Sequence, residues 1–416
     1  MAATPDTVKS RCVIFFGGYE NASAEQQYNR LKREISRFER TWNFRSEVGA
    51  PREENGGTVL AWPIVTEGPN WRADTRFHYY SWNDLIAEDF SHHDWRAIPT
   101  GLAALLDFAV TGTAIRYLIV AWRYWLFSFY PFALSIMFAL ISIAILSGLS
   151  DLGVPMPWFV AIPLGILLFW GLVRWPGDRL RLRYMLNDWA FASGIAWGRR
   201  RAYQDRLDQF AEALRRTIRD TDAEEVVIIG HSLGAVLATE TLARALASEP
   251  DLVRAGPPIT LTTVGSSLLK IALHPAARGL RRAIKRVLDA TDIAWIDYSA
   301  LVDPLNFYRC DPNTVLGLKA ARGPVIRTAK IRAMLGEDGY KRFKGDFLRL
   351  HRQFVMGNGA RYHCDFFMAC CGPMGQTARL EDMTGATENF AEDGSYRPTM
   401  TCPPEQPVFV KPGPDR

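Results

Sequence analysis

Between Tyr124 and Ser150 the chain carries no charged residue, and after the single Asp151 a second charge-free stretch runs from Leu152 to Val173. No other feature limits the possible folds as strongly. A hydrocarbon core about 30 Å thick requires about 20 helical residues, and each stretch meets that length. The connection from Ser150 to Pro157 is short and holds Gly153, Pro155 and Pro157, which stop helices. Two helices joined so closely run antiparallel, so the expected element is a transmembrane hairpin within residues 116–176. The competing readings are burial of both helices in a soluble core and a shallow insertion bent at Pro131 and Pro163. Two adjacent stretches of this length weigh against the first.

The flanks give the hairpin a direction. Arg116 and Arg123 precede it, Arg174, Arg179, Arg181 and Arg183 follow it, and its tip holds only Asp151. By the positive-inside rule, both ends and both termini are expected on the cytoplasmic side, with the tip facing outward. Trp122, Trp125, Trp158, Trp170 and Trp175 suit the membrane–water interface. The amino-terminal stretch lacks a basic region followed by a long apolar segment and a cleavage site, which also predicts a cytosolic start. The net charge of +5 is not concentrated in a tract, so nucleic acid is not an expected partner. Six cysteines lie irregularly and form no CxxC pair; neither a disulfide framework nor a zinc site is expected, and Cys370-Cys371 reads as two buried small residues.

Outside the hairpin the pattern is that of alternating strands and helices. Cys12 to Phe16 is a short apolar run ended by Gly17-Gly18, as in a buried parallel strand. Residues 23–43 repeat apolar positions at helical spacing through Tyr28, Leu31, Ile35 and Phe38. Gly49 to Gly57 punctuates the chain; Thr58–Pro63 and Arg76–Trp82 read as further strands. Asp178 to Arg219 predicts long amphipathic helix broken near Gly194 or Gly198. The hairpin therefore interrupts one sheet domain, residues 11–115 and 177–371, and residues 372–416 read as an irregular tail rich in Pro and Gly.

The most informative local sequence is Glu225 to Ala238. Val226 to Ile229 is a β-branched run suited to a central strand; Gly230-His231-Ser232-Leu233-Gly234 fits G-x-S-x-G; Ala235 to Leu246 continues as helix. Strand, turn and helix are the context a nucleophile elbow demands. A side chain at Gly230 or Gly234 would crowd the neighbouring strand and helix, while the helix N-terminus adds partial positive charge where an oxyanion forms. This stretch resembles the lipase and esterase branch of the α/β hydrolases, closely around the elbow and more broadly over residues 11–92 and 185–371. The hairpin and the tail lie outside the resemblance.

The resemblance implies a mostly parallel sheet flanked by helices and a triad in the order Ser, Asp or Glu, His. Ile259–Val264, followed by Gly265-Ser266-Ser267, resembles the strand and Gly-Ser segment after the elbow in many lipases. Ile293–Tyr298 reads as the next strand. Asp303, followed by Pro304, resembles the family's orienting acid, with Asp297 as the competitor nearer the strand. For the base, His351 is preferred because its apolar lead-in resembles the family's final strand; His363 is the alternate, and His274 precedes the acid. His231 occupies the motif's variable position and reads as an elbow neighbour. The oxyanion donors implied are the amides of Leu233 and of Gly18 or Tyr19, although Phe16-Gly17-Gly18-Tyr19 departs from the frequent His-Gly opening. These residues predict a serine hydrolase of lipid-like acyl esters or thioesters, with no metal or organic cofactor and with the bilayer as partner. A serine acyltransferase and a non-catalytic membrane scaffold are the alternatives.

Overall fold

The computed structural model describes residues 7–254, 256–376 and 385–397. Nine strands form one sheet: β1 Ser10–Phe16, β2 Arg45–Val48, β3 Arg52–Glu54, β4 Val59–Gly68, β5 Trp71–Tyr80, β6 Glu225–His231, β7 Ile259–Val264, β8 Ile293–Ser299 and β9 Val325–Thr328. Their spatial order is β2-β4-β5-β1-β6-β7-β8-β9, with β3 also on β4. From β5 to β9 every pairing is parallel, while β2, β3 and β5 each run antiparallel to β4. The sheet takes β1 to β5 from before the apolar stretches and β6 to β9 from after them. The antiparallel edge was not foreseen: β4 and β5 extend beyond the short runs read from the sequence, and the Gly49–Gly57 segment holds β3.

The central strands are buried on both faces, which explains their unbroken apolar runs. Along β1, Cys12, Ile14 and Phe16 enter one core and Val13 and Phe15 the other; along β6, Val226 and Ile228 part from Val227 and Ile229 in the same way. Side chains alternate across a strand, so each face needs its own cover.

The helices supply that cover. The α-helices of the described residues are α1 Ala24–Trp42, α2 Asn83–Ser91, α3 Asp94–Val110, α4 Thr113–Val120, α5 Trp122–Asp151, α6 Trp158–Arg174, α7 Pro176–Arg179, α8 Leu182–Ala196, α9 Arg201–Asp220, α10 Gly234–Ser248, α11 Leu268–Ala272, α12 Arg278–Asp289, α13 Pro312–Leu316, α14 Ile331–Phe343, α15 Phe347–Arg352, α16 Phe366–Cys371 and α17 Gly385–Glu388. Helix α1 begins with a capping box between Ser23 and Gln26 and ends at a left-handed Asn43, satisfying its terminal backbone groups. The amphipathic region after α6 breaks between α8 and α9, where Gly198 has φ 66°.

Helix α5, and α6 continued through α7 as Trp158–Arg179, are long and apolar enough to cross a membrane. They pack against each other, with Gly165 closely facing Leu146. Ser128, Ser135 and Ser142 form a buried stripe on α5, each hydroxyl donating to a carbonyl of its own helix. Most apolar side chains point away from protein: Leu140 is 59% exposed, Ile143 60% and Ile166 65%. Helices α3 and α4, bent by 68° to each other, are also long and apolar enough when taken together.

Two expectations change. The apolar lead-in to His351 is not a final strand; Phe347–Arg352 is helix α15, capped by the Asp346 side chain, and the last strand among the described residues is β9. A short apolar run fits either state, and here the cap decides. Much of the expected tail lies outside the described residues, but its described parts are packed. Arg11 forms a buried ion pair with Glu225 at 2.5 Å and donates to the carbonyls of Gly372 and Met374. Phe390 lies against Trp42 and Phe44.

Candidate active site

The parallel strands deliver their C-terminal ends to one edge of the sheet, where open α/β sheets place their ligands. At the end of β6, Ser232 has φ 56°, a left-handed conformation that costs a non-glycine residue roughly 1–2 kcal/mol. The turn tolerates no bulk on either side. A Cβ at Gly230 would stand 2.5 Å from the Ala235 Cα, and one at Gly234 would collide with the Phe16 and Gly17 carbonyls at the end of β1. The backbone is pinned as well: Ser232 N–H donates to Val264 O at 3.1 Å, and Ser267 N–H donates to Ser232 O at 3.1 Å. Strain held this firmly is characteristic of functional corners.

Asp303 follows β8 and is buried. Its Oδ1 accepts from Leu305 N–H at 2.9 Å, and its Oδ2 accepts from His351 Nδ1 at 2.7 Å. With Nδ1 donating, Nε2 holds the ring's lone pair. That Nε2 is buried and makes no hydrogen bond among the described residues. His351 and Ser232 line one cavity of about 620 Å³, together with Gly18, Tyr19, His231 and Tyr184. An unpartnered buried acceptor is costly unless something occupies it.

His231 supports this arrangement from below. Its Nε2–H donates to the His351 carbonyl at 3.2 Å, and the two rings lie 4.8 Å apart. Burial, and after it the neighbouring His351, push the His231 imidazole down to about 3, so it stays neutral at physiological pH. Gly265, with φ 54°, leaves just enough room for the His351 ring, since a Cβ there would come within 3.0 Å of its Cε1.

The alternates stand elsewhere. Asp297, on β8, accepts from Thr263 Oγ1 at 2.5 Å and does not meet His351; burial raises its carboxyl to about 7. His363 packs on Tyr362, with ring centroids 4.2 Å apart, outside the cavity. His274 is buried with its Nε2 3.4 Å from Asp107. Gly18 is pressed against the elbow, where a Cβ would stand 3.1 Å from the Ser232 Cβ. Tyr19 turns its side chain inward to donate to Asp89 at 2.9 Å. The structure thus gathers Ser232, Leu233, Gly18, Tyr19, Asp303 and His351, and leaves Asp297 and His363 apart.

Sequence reasoning missed two contributors. The Ser267 hydroxyl lies 3.4 Å from Ser232 Oγ; the signal was the Gly-Ser-Ser segment after β7, because adjacent parallel strands bring their ends together. Tyr184 closes the cavity from α8 and donates to the Tyr19 carbonyl at 2.7 Å. No local pattern marks it.

A family model described as the alpha/beta hydrolase family matches residues 188–372, the part that contains the elbow, Asp303 and His351. The match, with the mostly parallel helix-flanked sheet, supports an α/β-hydrolase superfamily member. That family suggests hydrolase-type catalysis. Neither the curated proteins nor the solved structures gave a match to the chain.

Proposed function

We propose that this chain is a membrane-anchored serine hydrolase that cleaves lipid-like carboxylic esters or thioesters. The observation that carries the reading is a left-handed elbow serine sharing a cavity with a buried imidazole, whose Nδ1 is held by Asp303 and whose Nε2 has no hydrogen-bond partner among the described residues. In the resting state Ser232 Oγ faces Ser267 instead; such bonds commonly tighten only when substrate is bound.

His351 Nε2 takes the hydroxyl proton as Ser232 Oγ attacks the acyl carbon, while Asp303 fixes the tautomer and stabilises the imidazolium. The oxyanion meets the amides of Leu233 and of Gly18 or Tyr19; losing one such donor costs about 3 kcal/mol. His351 returns the proton to the departing alcohol or thiol. Water, deprotonated by the same nitrogen, then releases the acid and restores the serine. The chemistry uses no metal or organic cofactor. The outward apolar faces of α5 and α6 support the anchor, with the soluble domain and both termini cytoplasmic. Lipid-like substrates follow from that anchor, because they partition where it holds the site.

The test is labelling of the purified full-length protein by a fluorophosphonate probe. Wild type labels and Ser232→Ala does not; well-folded wild type that resists the probe would instead support a membrane scaffold on a hydrolase fold.

A further inference from the structure

Four arginines reach the cavity of Ser232: Arg30, Arg181, Arg183 and Arg352, against only two carboxylates, Glu20 and Asp178. Both carboxylates are already engaged. Glu20 Oε2 accepts from Arg30 Nη1 at 2.6 Å. Asp178 Oδ2 lies 3.4 Å from Arg183 Nη1, and Arg183 turns its other nitrogen to Asp94 at 2.8 Å. Arg352 comes no nearer to a carboxylate than 3.8 Å, at Glu20. Arg181 is exposed and has no ion-pair partner among the described residues. Burial alone would raise the Glu20 carboxyl, yet Arg30 and then Arg352 hold it below its ordinary value, so it does not neutralise at physiological pH and the surplus on the wall is two guanidiniums.

These two come from opposite directions. Arg352 follows His351 at the end of α15. Arg181 stands between α7 and α8, just after the second apolar helix, on a left-handed backbone with φ 61°. The stretch that leaves the membrane-length helix therefore also forms the cavity wall. At both feet of the hairpin an arginine stacks on a tryptophan, Arg123 on Trp122 at 4.7 Å and Arg179 on Trp175 at 4.6 Å. Such pairs suit headgroup depth.

We infer that the surplus Arg181 and Arg352 select substrates carrying a phosphate, so that the acyl group presented to Ser232 belongs to a phosphate-bearing ester or thioester. The inference rests on the hydrolase reading above and names its substrate class. Guanidinium forks match phosphate oxygens in pairs. The phosphate could be part of a bilayer lipid or of a soluble acyl compound; the position of Arg181 at the foot of the hairpin favours the lipid.

The experiment uses the full-length protein in neutral detergent micelles and compares 1-acylglycerol 3-phosphate with the matching 1-acylglycerol, as a long-chain pair and as a water-soluble butyryl pair. Wild type should favour the phosphate member by about tenfold or more in kcat/KM, mainly through KM, and Arg181→Asn and Arg352→Gln should each shrink that ratio by about tenfold. Arg179→Gln, which removes a nearby charge outside the cavity, should leave the ratio unchanged. Preference in the long-chain pair alone assigns the phosphate to a lipid; preference in both pairs assigns it to the phosphate group wherever it is carried. A ratio near one in wild type, or a ratio that survives both arginine substitutions, overturns the inference. Calorimetric binding of the butyryl phosphate ester to Ser232→Ala separates the two layers. Binding that Arg181→Asn weakens, in a protein whose wild type resists the fluorophosphonate probe, would sink the hydrolase reading and keep the phosphate site.

Discussion

Two apolar segments of this molecule meet opposite fates. In β6 and α10 nearly every side chain is buried, from Val226 and Ile228 to Leu237 and Leu242, each at 0–1% exposure. In α5 and α6, which carry almost no charge, many outward apolar residues are more than half exposed, Leu140 at 59% and Ile166 at 65%. The first segment is apolar because the sheet needs cover on both faces; in the second, protein covers only one side of each helix and leaves the outward apolar side bare. Apolar surface of that extent is stable only beside another apolar phase. The comparison separates hydrophobicity that builds the site from hydrophobicity that, in the proposed function, anchors it.

The sharpest way to break the comparison is at the elbow. Ser232→Ala should lower kcat/KM for a matched ester by about 10⁶-fold, and Asp303→Asn by about 10⁴-fold, if these residues act as a nucleophile and its orienting acid. His351→Ala should resemble the serine variant in the same assay, whereas His363→Ala should stay within about twofold. A dead His363→Ala beside an active His351→Ala would reverse the assignment of the base.

Packing should separate the two segments next. Leu237→Ala should cost about 3 kcal/mol in denaturant unfolding, because it leaves a cavity, while Leu140→Ala in micelles should change stability by less than about 0.5 kcal/mol. Leu140→Lys should instead weaken membrane insertion by about 3 kcal/mol, read as protein released by carbonate washing. If Leu140→Lys stays fully membrane-bound, the anchor reading loses its support.

The smallest effect concerns Asp297. Its carboxyl is raised in the folded protein to about 7, against 3.8 as its ordinary value. The folded state therefore holds a proton that the unfolded state sheds. That stability is full below pH 3.8 and is lost as pH rises through 7. Asp297→Asn should remove this loss, raising the melting temperature at pH 8 relative to pH 5 by on the order of 3 °C compared with wild type. Hydrolysis should change little, since Asp297 meets Thr263 and not His351. A collapse of the rate comparable to that of Asp303→Asn would make Asp297 the acid after all.

The elbow was legible because its demands are local. Strand, glycines and helix must follow one another within about a dozen residues, and each constraint is written at its own position. The two membrane-length helices were legible for a similar reason, since length and lack of charge are sums along the chain. Asp303 and His351 follow from the order of a resembling family, helped by Pro304 after the acid and an apolar lead-in before the histidine. The lead-in to His351 predicts a strand, but Phe347–Arg352 is helical, and the histidine meets Gly265 after β7 and Asp303 after β8.

The sequence by itself determined the sharp corner at Ser232 and the presence of two membrane-length helices, because both arise from interactions between residues close along the chain. Only the tertiary structure decided that Asp303 and not Asp297 faces His351, that Ser267 stands beside the nucleophile, and that Arg181 and Tyr184 wall the same cavity. Tyr184 and its partner Tyr19, for instance, are separated by 165 positions, and such meetings depend on how parallel strands stack and where α8 lands, which no local pattern encodes.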